Sequence, residues 1–124
     1  MTIAYWCVLA VILMPYIWTV TAKSSAPKFD NNQPREWLAK LQGKGARAHS
    51  AQMNSFEAMP GFIGAVIIAH LAGAAQHQVD ILALNFVVLR LMYGYLYIAD
   101  HATLRSVVWA LGVACVVGLF VISA

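Results

Sequence analysis

Long apolar runs interrupted by a single polar stretch set the pattern of this chain. Residues 1–22 and 106–124 contain no Asp, Glu, Lys or Arg. Residues 48–79 contain only Glu57, and residues 81–99 only Arg90. A bilayer core takes roughly 20 apolar residues in helix to cross. The pattern therefore predicts four transmembrane helices, over residues 2–22, 47–75, 80–99 and 103–123, in one domain spanning 1–124. Helices satisfy their own backbone groups in lipid. The alternation that a membrane β-barrel needs is absent from these runs. The first run lacks a basic start and exceeds the length of a usual signal core, so it is expected to be a retained span.

Residues 23–46 form the one long polar loop. Pro27 and Asp30-Asn31-Asn32 mark turns within it. Pro34 followed by Arg35-Glu36-Trp37-Leu38-Ala39-Lys40-Leu41 is compatible with a short amphipathic helix on the membrane surface and equally with a solvated loop. Gly43 and Gly45 are expected to break the chain before the second helix. The other connections, Gln76–Asp80 and Asp100–Thr103, are short, which implies an up-down-up-down bundle. Pro60 predicts a kink in the second helix. Gly61, Gly64 and Gly73 are candidates for close helix approach.

Composition fits this reading: 61% of the 124 residues are hydrophobic and 10% charged. Loop 23–46 with Arg47 holds six of the eight Lys and Arg residues, and the third connection abuts Arg105. The second connection has none. Cytoplasmic loops collect basic residues. The expected orientation thus puts loop 23–46 in the cytoplasm and both termini in the periplasm, or in the lumen if the cell is eukaryotic. The net charge of +3 is topological, and no recognition module points to nucleic acid. Cys7 and Cys115 sit in separate apolar runs and read as small packing residues. No His, Cys or acidic constellation has metal-ligand spacing, and His70 stands alone.

Polar side chains inside apolar helices are expensive and point to function. At ~100° per residue, Arg47, Ser50, Asn54, Glu57 and Gly61 share one face of the second helix. Arg90, Tyr93 and Tyr97 share one face of the third. Counted from the loop end at ~1.5 Å per residue, Glu57 lies roughly 15 Å deep and Arg90 roughly 13 Å. Matched depth and opposite charge predict that the two pair, within the chain or across a subunit boundary. Arg47, Asn54, Tyr97 and Arg105 are expected to ring the mouth above them. Two cations and an amide suit an anionic, amide-rich ligand, and Tyr93 or Tyr97 suits hydrogen bonding to a thiolate.

The stretch Arg47-Ala-His-Ser-Ala-Gln52-Met-Asn54-Ser-Phe-Glu57-Ala-Met-Pro60-Gly-Phe62 resembles the signature of the MAPEG superfamily, the membrane-associated proteins in eicosanoid and glutathione metabolism. Leu89-Arg90-Leu-Met-Tyr93-Gly-Tyr95-Leu-Tyr97 and Leu104-Arg105 extend the likeness, and the chain looks like the small bacterial members. The resemblance implies an all-α, four-helix membrane fold assembled as a homotrimer, with ligand sites between subunits. It implies glutathione contacts at Asn54, Glu57, Tyr93 and Tyr97, and thiol activation at Arg105. The chain departs from glutathione-using members at Ser50, where they commonly carry a second Arg, and at Ala58, where they carry Tyr. Ser cannot replace a bidentate guanidinium clamp. The spacing from Tyr97 to Arg105 is also one residue longer than the family pattern. Two functions follow. One is a non-catalytic module that binds lipid or a hydrophobic small molecule, or serves as an accessory subunit of a larger membrane complex. The other is a glutathione-dependent transferase or peroxidase, with Arg47 and Asn54 holding the peptide, Arg90 and Glu57 beneath it, and Arg105, Tyr93 and Tyr97 acting on the thiol.

Overall fold

The computed structural model describes all residues, 1–124, as five helices: α1 (Ile3–Ser24), α2 (Pro34–Ala39), α3 (Gly43–Leu71), α4 (Gln76–Ile98) and α5 (Ala102–Val121). Three of them, α1, α4 and α5, are long and apolar enough to cross a membrane. With 29 residues α3 is the longest, but its first half carries Lys44, Arg47, His49, Gln52, Asn54 and Glu57. By composition it falls short of the other three, so the expected fourth span does not stand on apolarity alone.

The bundle core is built from small side chains. On α1 the buried positions Ala4, Cys7, Val11, Met14, Trp18 and Ala22 recur every three or four residues. They meet Ala48, Ala51, Phe62, Ala65 and Ala69 of α3. Lipid offers no hydrophobic drive between helices, so small residues that let backbones approach supply packing instead. Cys7 and Cys115 are free, buried thiols in the same core as Phe62 and Leu119. Large apolar side chains such as Trp6, Ile17, Leu84, Leu111 and Val117 face outward. So much exposed hydrocarbon suits a lipid surround.

The closest approaches fall at other glycines than expected. A methyl group at Gly94 would land inside the Trp18 indole, and one at Gly45 would meet the Ser25 hydroxyl. Gly61 and Gly64 have open space where a Cβ would go. Gly45 does not break the chain: it is buried within α3, whose start lies at Gly43, with φ +56°. Pro15 and Pro60 both lie inside continuous helices.

Two turns share one device. After α3, Gly73 takes a left-handed φ of +73°, its N–H donates to the His70 carbonyl, and that of Ala74 to Ala69. After α4, Asp100 takes φ +64°, its N–H donates to Tyr97, and that of His101 to Leu96. Both are Schellman caps, which satisfy terminal carbonyls and reverse the chain at once. The connection before α4 is therefore shorter than Gln76–Asp80, since α4 begins at Gln76 itself. Asp80 is inside the helix. Its Oδ1 accepts from the backbone N–H of Ala4, at 2.8 Å, and from Gln76 Nε2, at 2.8 Å.

In the polar loop, α2 does form, with Pro34 in its first turn. Leu38 and Leu41 are buried against Ala22 and Ala48, so these leucines fasten α2 to the bundle instead of lying on a membrane surface. Trp37 stacks edge-on to Phe29 at 5.1 Å, and Lys23 Nζ covers the Phe29 ring at 4.3 Å.

Candidate functional site

An open groove of about 380 Å³ runs between α3 and α5, with α4 as its floor. Its α3 wall is Asn54, Glu57, Ala58 and Gly61, and its α5 wall is Trp109, Gly112, Val113 and Val116. Both sets follow the i, i+3, i+4, i+7 rule that places side chains on one helix face. Phe86 and Arg90, one turn apart on α4, close the bottom. All three helices run so that the polar groups lie toward the α2 end of the bundle. Gly61, Phe86 and Val116 lie toward the α3–α4 turn. The groove is thus polar at one end and apolar at the other.

The polar end is a relay with Asn54 at its centre. Arg90 Nη2 donates to Asn54 Oδ1 at 2.7 Å. Asn54 Nδ2 donates to Glu57 Oε2 at 3.2 Å. Glu57 and Arg90 therefore do not form the direct pair expected within the chain, whose only ion pair is the exposed Lys40–Glu36 contact. The reason is geometric. Asn54 stands one turn before Glu57 on the same face and nearer the guanidinium, and its amide is donor and acceptor at once. Arg90 is 3% exposed while Glu57 lies on the open side of the groove. A buried guanidinium needs acceptors, and Asn54 is its one hydrogen-bond partner.

The tyrosines and the outer arginine form a second line. The Arg90 guanidinium lies 4.2 Å from the Tyr93 ring centre. Tyr93 meets Tyr97 edge-on at 5.7 Å, and Arg105 covers Tyr97 at 4.2 Å. Cation, ring, ring and cation alternate along one face of α4 and onto the first turn of α5. Each cation–ring contact contributes about 0.5–2 kcal/mol, more when desolvated. The spacing of Arg90, Tyr93 and Tyr97 announced their shared face. The addition of Arg105 depended on the tight Asp100 turn.

Arg47 reaches the C-terminal end of α4, at the residue next in sequence to Tyr97. Its Nε donates to the Ile98 carbonyl at 3.0 Å, so it caps the end of α4. Neither Arg47 nor Arg105 lines the groove. Phe86, Trp109, Gly112, Val113 and Val116 line the groove as well, with no signal of it in the sequence. An apolar residue facing a groove looks the same in sequence as one facing lipid. Phe86 stacks flat on Phe62, with ring centres 4.2 Å apart and planes 4° apart, which ties the floor of the groove to α3.

An all-helical bundle with a hydrocarbon exterior and a polar relay inside an apolar groove defines a helical integral membrane protein. Residues 3–124 match the MAPEG family, and the chain belongs to that family. No curated protein and no solved structure matches it.

Proposed function

We propose that the protein is a MAPEG-family membrane module that holds a lipid or hydrophobic small molecule in this groove. α3 serves as the fourth span in this reading. Its Asn54 and Glu57 turn toward the groove, and its last turns, from Phe62 to Leu71, are apolar apart from His70. Three copies assemble, so that the exposed Glu57 side of each groove is completed by a neighbour. The α2 end faces the cytoplasm because the basic residues gather there. Both termini then lie in the periplasm of a bacterial inner membrane. The module works without catalysis, on its own or as an accessory subunit of a larger membrane complex.

The observation that carries the reading is the groove's asymmetry: a buried, singly bonded Arg90 at one end and an apolar lining at the other. Such sites, mostly apolar with a few convergent polar groups, are typical of small-molecule binding. Native mass spectrometry of protein extracted in mild detergent tests it. A trimer retaining lipid or another amphiphile is expected, and loss of that mass in Gly61→Leu ties it to the groove. Protein free of any bound amphiphile, with the groove intact, overturns the reading.

A glutathione-dependent transferase or peroxidase is the alternative, and the Arg105–Tyr97 stack favours it. A guanidinium beside a phenol at the end of α4 offers a cation and a hydroxyl to a thiolate, and a nearby cation lowers a thiol's pKa. Asn54, Glu57 and Arg90 would then contact the peptide, and Tyr93 would support Tyr97. Conjugation of a chlorinated nitrobenzene by purified protein is the test. Glutathione-dependent turnover lost in Arg105→Ala supports the enzyme; neither turnover nor glutathione binding removes it.

A further inference from the structure

The relay has a property that bears on the kind of molecule the groove admits. Arg90 brings a positive charge and Glu57 a negative one, with Asn54 bonded to both. The polar end is therefore neutral in sum, yet it presents donors and acceptors side by side. Arg90 uses one Nη for Asn54 and is among the residues that line the groove, so it keeps N–H groups with which to donate to a guest. Glu57 Oε2 is engaged by Asn54, which leaves the second carboxylate oxygen as an acceptor. A head carrying only negative charge meets Arg90 but is set against Glu57. A head carrying only positive charge meets Glu57 but is set against Arg90. In a low-dielectric site, like-charge juxtaposition is costly and unpaired donors are costly too. A neutral head with a carbonyl and an N–H satisfies both ends: its oxygen accepts from Arg90 and its N–H donates to Glu57.

Head and tail together, the slot runs from Asn54 to Gly61, ~10 Å along α3. Gly61 and Gly112 leave it open. No atom lies within 4 Å of a Cβ built at Gly61, and at Gly112 only Phe86 comes near, at 3.9 Å. Trp109 and Val113 on one side and the stacked Phe86 ring below suit a single alkyl chain.

Resting on the groove-binding reading above, we propose that the site selects uncharged amide-headed amphiphiles over acids or amines of the same chain length. Glu57 is the residue that excludes the acid.

The test is competition for the whole protein in nanodiscs between equal amounts of dodecanamide, dodecanoate and dodecylamine at neutral pH, read by native mass spectrometry. The amide is expected to be retained over the acid by about tenfold or more. In Glu57→Gln, which is exposed and keeps an acceptor for Asn54, the acid is expected to gain by a similar factor. In Gly61→Leu, which fills open space, all three are expected to be lost. Wild-type protein that retains dodecanoate as well as dodecanamide overturns the selectivity, as does an acid-to-amide ratio unmoved by Glu57→Gln. Failure of all three probes in both wild type and Glu57→Gln overturns groove binding itself. So does retention in Gly61→Leu equal to wild type, since the ligand then sits elsewhere.

Discussion

At Asn54 a single carboxamide decides how two opposite charges coexist inside an apolar helix bundle. Its oxygen holds a guanidinium and its nitrogen holds a carboxylate. Removing it exposes the asymmetry of hydrogen bonding, because a buried group left unpaired loses more than the bond was worth. Asn54→Ala is expected to destabilise the protein by about 2–4 kcal/mol, since Arg90 loses its only acceptor. Glu57→Gln keeps a carbonyl for Asn54 and sits at the surface, so it is expected to cost less than about 1 kcal/mol. Thermal unfolding of the two variants in the same detergent compares them directly. Equal losses would show that Glu57 holds Arg90 without Asn54.

Where helices meet, the Trp18–Gly94 contact holds α1 against α4. Gly94→Ala drives a methyl into the indole, which is wedged among Met14 and Ala51. Overpacking of this kind is expected to cost about 1–3 kcal/mol. The Trp18 indole N–H is buried without a partner. Trp18→Phe removes that donor and relieves crowding, so it is expected to offset part of the Gly94→Ala loss in the double variant. A double-mutant cycle measures the coupling. At the opposite end, Asp80 ties α4 to the first turn of α1 by accepting from Ala4 N–H. Helix starts carry unsatisfied donors. Asp80→Ala is expected to cost about 1–2 kcal/mol and to speed amide exchange at Ala4, where Asp80→Asn keeps an acceptor and changes little.

Across the whole molecule, the exterior is more apolar than the interior is large. Only 27 of 124 residues are buried, and the outward faces of α1, α4 and α5 are hydrocarbon. The protein must therefore be covered by lipid or by copies of itself. Under the proposed orientation, a cysteine introduced at Lys28 in a Cys7→Ala, Cys115→Ala background is labelled by an impermeant maleimide only after cells are opened. A cysteine at His77 is labelled in intact cells with a permeable outer membrane. The reverse pattern would invert the orientation.

Much of this was legible along the chain. Apolar run length located α1, α4 and α5, because a helix in lipid must be apolar for its whole crossing. Helical periodicity placed Asn54 with Glu57 and Arg90 with Tyr93 and Tyr97, because neighbours three and four apart share a face. The motif in α3 announced the family. Only the tertiary structure decided which of these polar groups touch. Asn54 entered between Glu57 and Arg90, Arg47 turned to the end of α4, and Arg105 closed onto Tyr97. Contact depends on how two helices are rotated and how tightly a turn such as Asp100 brings them together. The groove walls were likewise decided by packing, because Trp109, Gly112 and Val116 satisfy lipid and cleft equally well until α3, α4 and α5 are set side by side.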